Sequence, residues 1–309
     1  MLITKTGPIK DNFHMLGSTS FPMFLLDGEL PVLFEGGVTC GGRIYAEAVR
    51  SILGQRQPGM IFLTHAHWDH CAAVFYLKQE FSSLKIAASP YVKSILQRTN
   101  AIALISMLNE KTGEAIKSIP DIPVDFDVTM LLDDPFQPFE PDIELEDRQI
   151  IELGRGATVQ VLATPGHTRD HTSYYLPKDK ILIGGETAGL LEPSGNISTE
   201  FAYDYEAYVN SIKKLSAVPA DIYCQGHGLV IVGREEVTGF LERSLNGAIA
   251  HKEEICRLLD EEQGSTERVI QRMKAIHYDA VQGPRQPEFT YMLNLTAQVK
   301  HLAAKRAQS

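Results

Sequence analysis

The chain has 309 residues, 44% of them hydrophobic, which exceeds a typical single domain and suits one large α/β domain or a domain with a substantial appendage. Its 39 acidic against 29 basic residues give a formal charge of -10, and no Lys/Arg cluster forms a phosphate-tracking stripe, so no nucleic-acid partner is expected. The opening MLITKTGPIKDNF has no basic segment followed by an apolar stretch, and nowhere do about 18 apolar residues run together. These features predict a cytoplasmic protein with no membrane partner.

In chain order, the first 35 residues read as strands, with "FPMFLLDGELPVLFEGG" carrying two apolar runs around an Asp27-Gly28 hairpin signal and ending at Gly36-Gly37. "RIYAEAVRSILG" has helical spacing and stops at Gly54. "GMIFLTHAHWDH" reads as a buried strand whose C-terminal end carries a histidine cluster, and "CAAVFYLKQEF" as the helix behind it. "LKIAAS" and "PYVKSILQ" repeat the alternation, and the spacing predicts a further helix from about Asn100 to Lys117. Between Ile119 and Asp147 the sequence is irregular and acidic with five prolines, which predicts a surface excursion joining two halves. Strands resume with "RQIIELG", "TVQVLATPGHT", "TSYYLP" and "KILIGGET", then a helix near Asp204 to Ala217 and one more strand in "DIYCQGHG". From Arg234 onward only helical periodicity remains, in three segments broken around Gln263-Gly264 and Gly283-Pro284. The predicted organisation is a metal-binding domain over residues 1–233 and a helical extension over residues 234–309. The extension either caps the pocket or forms a homodimer interface.

Chemistry concentrates in "HAHWDH". On an extended segment His65 and His67 point the same way, and Asp69 and His70 follow as the chain turns, which makes four metal ligands within six positions. A site of this kind draws on more than one loop. His167 in "ATPGHT", Glu186 in "IGGET" and His227 in "CQGHG" each follow an apolar run and lie beside glycines that let the backbone turn sharply. The competing reading of the cluster as a polar loop with chance spacing is outweighed by its density of ligand types. Glu186 competes with a solvated surface glutamate, His171 reads as a structural histidine, Cys71 as a core thiol, and Trp68 as either a pocket wall or plain packing. His14, His251, His277 and His301 have no motif around them. The cysteines Cys40, Cys71, Cys224 and Cys256 are far apart with no CxxC, so reduced thiols are expected in place of a disulfide framework or a thiolate zinc knot.

With these residues in place, the stretch from about Ile3 to Val232 resembles the metallo-β-lactamase superfamily, through HxHxDH followed by GH, an acidic residue after glycine, and GHG. The resemblance implies an α/β fold, a four-layer αββα sandwich, here with an all-helical C-terminal extension. It also implies that His65, His67 and His167 hold one ion, that Asp69, His70 and His227 hold the other, and that Glu186 stands where the family usually has a bridging aspartate. Glu35 in "LFEGG", where the family often shows aspartate before glycine, is a candidate acceptor for fixing histidine tautomers. The core is similar to glutathione hydrolases of the glyoxalase II type, and together with the helical tail it resembles the PqsE-like branch of the superfamily.

Imidazole and carboxylate ligands without thiolate suit two divalent ions of Zn, Fe or Mn. A pair roughly 3.5 to 4 Å apart generates a metal-bound hydroxide near neutral pH and polarises the bond under attack. Asp69 would steer that hydroxide, which makes it the candidate catalytic residue. The leading expectation is a dinuclear hydrolase acting on a small-molecule ester, thioester or lactone. A PqsE-like regulator with residual hydrolysis and a mononuclear iron persulfide dioxygenase are the alternatives.

Overall fold

The computed structural model describes residues 1–118, 128–192, 194–281 and 286–308. Residues 119–127 of the proline-rich excursion and the Gly283-Pro284 break therefore lie outside the described residues. Two seven-stranded sheets carry the fold. The first runs in the order β2 (Gly7–Lys10), β3 (Phe13–Gly17), β4 (Pro22–Leu26), β5 (Val32–Phe34), β6 (Met60–Phe62), β7 (Lys85–Ala88), β8 (Ile143–Glu144). The second runs from β1 (Leu2–Ile3) through β14 (Val230–Val232), β13 (Ile222–Gln225), β12 (Ile181–Gly185), β11 (Thr172–Leu176) and β10 (Ala157–Ala163) to β9 (Ile150–Gly154).

Pairing in the first sheet is antiparallel from β2 to β5 and parallel from β5 to β8, while in the second only β12 and β13 run parallel. Parallel strands need crossovers, and β5 reaches β6 through α1 (Gly42–Leu53). Strand β6 reaches β7 through two short helices, α2 (Trp68–Cys71) and α3 (Val74–Glu80). Helices α4 (Pro90–Leu96) and α5 (Thr99–Ser118) follow. The helix expected for "CAAVFYLKQEF" is α3, which starts only at Val74, behind the separate short helix α2. The N–H groups of Ala72 and Ala73 donate to the carbonyls of Gly37 and Gly36 at 2.9 and 3.1 Å, in place of a continuous helical ladder. Gly36 is required there, because a Cβ would stand 3.0 Å from the His70 carbonyl oxygen and 3.1 Å from Cys71 Cα.

Side chains from both sheets share one core, with Phe13, Phe24, Phe34 and Phe62 from the first and Val161, Tyr174 and Ile183 from the second. The rings of Phe34 and Phe62 stack at 5.3 Å, and Tyr174 lies 5.3 Å from Phe62 while its hydroxyl donates to the Leu63 carbonyl at 2.5 Å. Truncating a ring here removes buried area and leaves a cavity that a two-sheet core cannot collapse into. Phe62→Ala is expected to cost about 3–5 kcal/mol, read as a shift in the urea midpoint.

The chain divides into two compact units. Met1–Ala163, Asp170–Gly185 and Val218–Val237 form the first, with both sheets and α1 to α5. Thr164–Arg169, Glu186–Ala217 and Thr238–Ser309 form the second. The second holds α6 (Tyr205–Ser216), most of α7 (Arg234–Glu261), α8 (Thr266–Lys274) and α9 (Glu288–Arg306), with one π-helical turn, Ala275–Asp279, directly after α8. Asp204 and Ser265 start α6 and α8 by accepting backbone N–H bonds, the caps that short polar residues provide. The fold class is the expected αββα sandwich with a helical C-terminal region. No helix among the described residues is long and apolar enough to cross a membrane.

Candidate metal centre

Most of the sequence-predicted site residues stand behind the carboxyl ends of parallel strands, where the backbone turns away and leaves side chains facing an open edge, while His167 follows the antiparallel β10. Glu35 follows β5, the segment Thr64–His67 follows β6, Glu186 follows β12 and His227 follows β13. Glu35 is a non-glycine residue at φ 72°, a conformation held by its N–H donating to the Phe62 carbonyl at 3.0 Å. The loop after β6 is pinned twice. Thr172 N–H donates to the Thr64 carbonyl at 2.8 Å, and Ala66 N–H donates to the buried Asp170 carboxylate at 2.8 Å. His67 then precedes α2, whose four residues present Asp69 and His70.

Within the first unit, Asp69, His70 and His227 each bring one ligand atom, all within 4.8 Å of one another. The ring of His65 lies 4.5 Å from His67 and 4.3 Å from His70. Buried Glu35 organises two of these histidines. One carboxylate oxygen lies 3.2 Å from His70 Nδ1. Thr64 Oγ1 donates to the same carboxylate at 2.8 Å and accepts from His65 Nδ1 at 2.9 Å, so a single carboxylate fixes His70 directly and His65 through a hydroxyl.

The tautomers follow from these partners. A backbone carbonyl only accepts, so His227 Nδ1, 2.5 Å from the Ser20 carbonyl, carries the proton, and His70 Nδ1 does so against Glu35. Both Nε2 atoms then present lone pairs, and they face each other at 3.2 Å. Asp69 adds negative charge, with Oδ2 at 3.4 Å from His227 Nε2. Acceptors packed this closely repel unless a cation lies among them, and a divalent metal with N and O ligands fits the donor set.

The second unit repeats the arrangement. His167 Nδ1 donates to the Glu200 carbonyl, leaving Nε2 2.6 Å from Glu186 Oε2. Burial by itself lowers the His167 pKa, but the Glu186 carboxylate together with Glu200 outweighs it and raises the value, which marks a position that favours positive charge. Gly166 lets the chain reach this point at φ 139°, where a Cβ would stand 2.3 Å from Tyr208 Cα.

His171, Cys71 and Trp68 are all buried beside these ligands. His171 is buried and stacks on His65 at 5.0 Å, and Cys71 is a core thiol whose pKa burial pushes well up. Trp68 is buried with its indole N–H donating to Thr112 Oγ1 on α5 at 3.1 Å, so it locks the loop to a helix. The roles of Thr64, Asp170, and the carbonyls of Ser20 and Glu200 have no counterpart in the sequence expectations. Asp170, three residues after His167 in "GHTRDH", had the best signal, as an acidic residue inside a ligand motif.

Residues 20–227 match the metallo-beta-lactamase superfamily. The chain belongs to that superfamily. It is 29% identical over 172 residues to a hydroxyacylglutathione hydrolase of Mesorhizobium japonicum, covering 55% of this chain and 48% of that protein. A 90-residue stretch is 31% identical to the atrochrysone carboxyl ACP thioesterase of Aspergillus fumigatus, covering 29% of this chain and 26% of the relative. The chain thus spans about half the length, or less, of the curated relatives it matches. Among solved structures, the metallo-beta-lactamase family protein TTHA1429 of Thermus thermophilus superposes with a TM-score of 0.65 at 19% identity, covering 97% of this chain and 95% of the other. That likeness is one of fold, and together with the hydrolase relative it agrees with the glyoxalase II-like core expected from the motifs.

Proposed function

We propose that the chain is a dinuclear metal-dependent hydrolase of a small ester, thioester or lactone. The observation that carries this reading is the pair of histidine Nε2 lone pairs facing each other at 3.2 Å beside Asp69, an arrangement that calls for a cation. His65, His67 and His167 would hold one ion, Asp69, His70 and His227 the other, and Glu186 would be a further ligand, at the position where the family usually has an aspartate. When bound, the ions supply Lewis acidity and an activated water. Asp69 would be placed to orient such a water, and Glu35 would keep His65 and His70 in their ligand tautomers. The relatives named hydroxyacylglutathione hydrolase and atrochrysone carboxyl ACP thioesterase support the thioester within this class.

The test is a panel of esters, thioesters, lactones and phosphodiesters run on protein of measured metal content. Hydrolysis of at least one of the first three is expected, lost on chelation and restored by Zn, Fe or Mn. A fully loaded protein that turns over none of them would overturn the reading.

Glu186→Gln is expected to weaken metal binding at one or both positions, because a neutral amide balances cationic charge poorly. The loss should reach at least the roughly 10- to 100-fold seen when outer partners of ligands are removed. Titration against a chromophoric chelator reads this directly, and wild-type affinity at both positions would make Glu186 a bystander.

A further inference from the structure

Within the second unit, His167 is held by residues 199–205, and that segment is gripped in turn by the C-terminal helix. The Glu200 carbonyl accepts from His167 Nδ1. The N–H groups of Ala202 and Tyr203 donate to the carbonyls of His167 and Gly166 at 3.2 and 3.0 Å. Ring and backbone of His167 are therefore set by the same stretch of chain.

The other side of this stretch is bound to α9 and α7. Gln298 of α9 is 3% exposed and uses both ends of its amide. Its Nε2 donates to the Thr199 carbonyl at 2.7 Å, and its Oε1 lies 2.9 Å from His251 Nε2 on α7. The Thr199 carbonyl only accepts, so the amide has one orientation and His251 Nε2 is the donor. The Glu200 N–H donates to the Tyr208 hydroxyl at 3.2 Å. The planar peptide unit between Thr199 and Glu200 is thus fixed at both of its polar atoms. Asn294, one turn before Gln298, donates to Glu200 Oε2 at 2.8 Å and holds the side chain. Little rotation is left to the Glu200 carbonyl. His301 continues the same face of α9, its Nε2 accepting from the Tyr205 N–H at 3.2 Å. A methionine would fill the space of Gln298 equally well, so what the buried amide adds is direction.

We propose that Gln298 and Asn294 are positioning residues for metal binding, acting through the Glu200 carbonyl on the Nε2 of His167. This role rests on the hydrolase reading, in which His167 is a ligand. A ligand histidine with a firmly held acceptor presents its lone pair in one direction, whereas a ring whose acceptor swings must be ordered each time an ion binds. The effect is confined to one of the two proposed positions, because the acceptors behind His70 and His227 are Glu35 and the Ser20 carbonyl of the first unit. The helical C-terminal region thereby takes part in the metal centre itself, beyond the capping or dimer roles that its sequence suggests.

Chelator competition for Zn(II) on the full chain, resolving its two equivalents, tests this with Gln298→Met, which keeps the length and removes both amide bonds. Affinity is expected to fall about tenfold for one equivalent and to stay within about twofold for the other. Asn294→Ala, at a half-buried position, should weaken the same equivalent about fivefold. Loaded with cobalt(II), the Gln298→Met chain should show altered visible ligand-field bands, which report geometry at the ion and not the stability of the fold. A double-mutant cycle with His167→Ala locates the effect: in that background Gln298→Met should change the remaining affinities by less than about twofold. A folded Gln298→Met chain that binds both equivalents as the wild type does, that weakens both alike, or that loses as much without His167 would overturn the proposal. A His167→Ala chain with both affinities intact would remove the ligand and the proposal with it. If Gln298→Met does not fold, Asn294→Ala takes its place in the same cycle, with the same outcomes. The ester, thioester and lactone panel, run alongside, separates the two readings. A loss confined to one equivalent in a chain that turns over no substrate defeats only the hydrolase, and turnover with both affinities untouched by the substitutions defeats only the positioning role.

Discussion

Asp69→Asn is expected to lower hydrolysis by more than about 100-fold, beyond what loss of an outer partner of a metal ligand typically costs. Asp69 is 8% exposed and lies with Oδ2 3.4 Å from His227 Nε2 and Oδ1 3.9 Å from His70 Nε2. The substitution keeps the shape and removes the charge. An amide turns one acceptor into a donor, which then faces the position a cation should fill, so the proposed ligand and water-orienting roles would be lost together. Rates on the best substrate of the panel, with metal content measured alongside, decide the matter. Activity within tenfold of wild type at full metal load would remove Asp69 from the chemistry.

Glu35→Gln should have the next largest effect, and its signature is that both proposed metal positions weaken. The carboxylate accepts from Thr64 and from His70 Nδ1, and through Thr64 it governs His65 as well. A glutamine offers one oxygen and one NH2 group, so one of the two relays meets a donor where it needs an acceptor. The affected histidine then loses its ligand tautomer or its orientation. Metal affinity is expected to fall about 10- to 100-fold at each position, read by chelator competition. A fall confined to one position would show that the Thr64 relay carries no weight, and no fall at all would place Glu35 in a purely structural role.

The candidate centre was legible in the sequence to the extent that its ligands have distinctive side chains at strand ends. His65 to His70 lie in one uninterrupted segment behind the apolar run of β6, and His167, Glu186 and His227 are flagged by glycines where the backbone must turn. What orients them was mostly hidden. The Ser20 and Glu200 acceptors are backbone carbonyls, which every residue type supplies, and Thr64 acts as a relay only because Glu35 comes from another strand. Glu35 itself was visible as a carboxylate before two glycines.

The sheets were similarly legible where strands are long or strongly apolar. Strands β1, β8 and β14 have two or three residues each, too few for periodicity to register, and their existence depends on the neighbours that they pair with. The short helix α2 and the break between it and α3 were also out of reach. The break depends on Gly36 and Gly37 accepting N–H bonds from Ala72 and Ala73, which is a tertiary competition and no local propensity.

Metal stoichiometry tests the central claim most directly. Apo protein prepared by chelation, reconstituted with Zn or Mn, freed of excess ion and analysed by plasma emission spectrometry should contain about two metal ions per chain, and Asp69→Asn should contain measurably less. One equivalent or fewer in the wild-type chain, with the circular dichroism of the folded protein, would contradict a dinuclear centre.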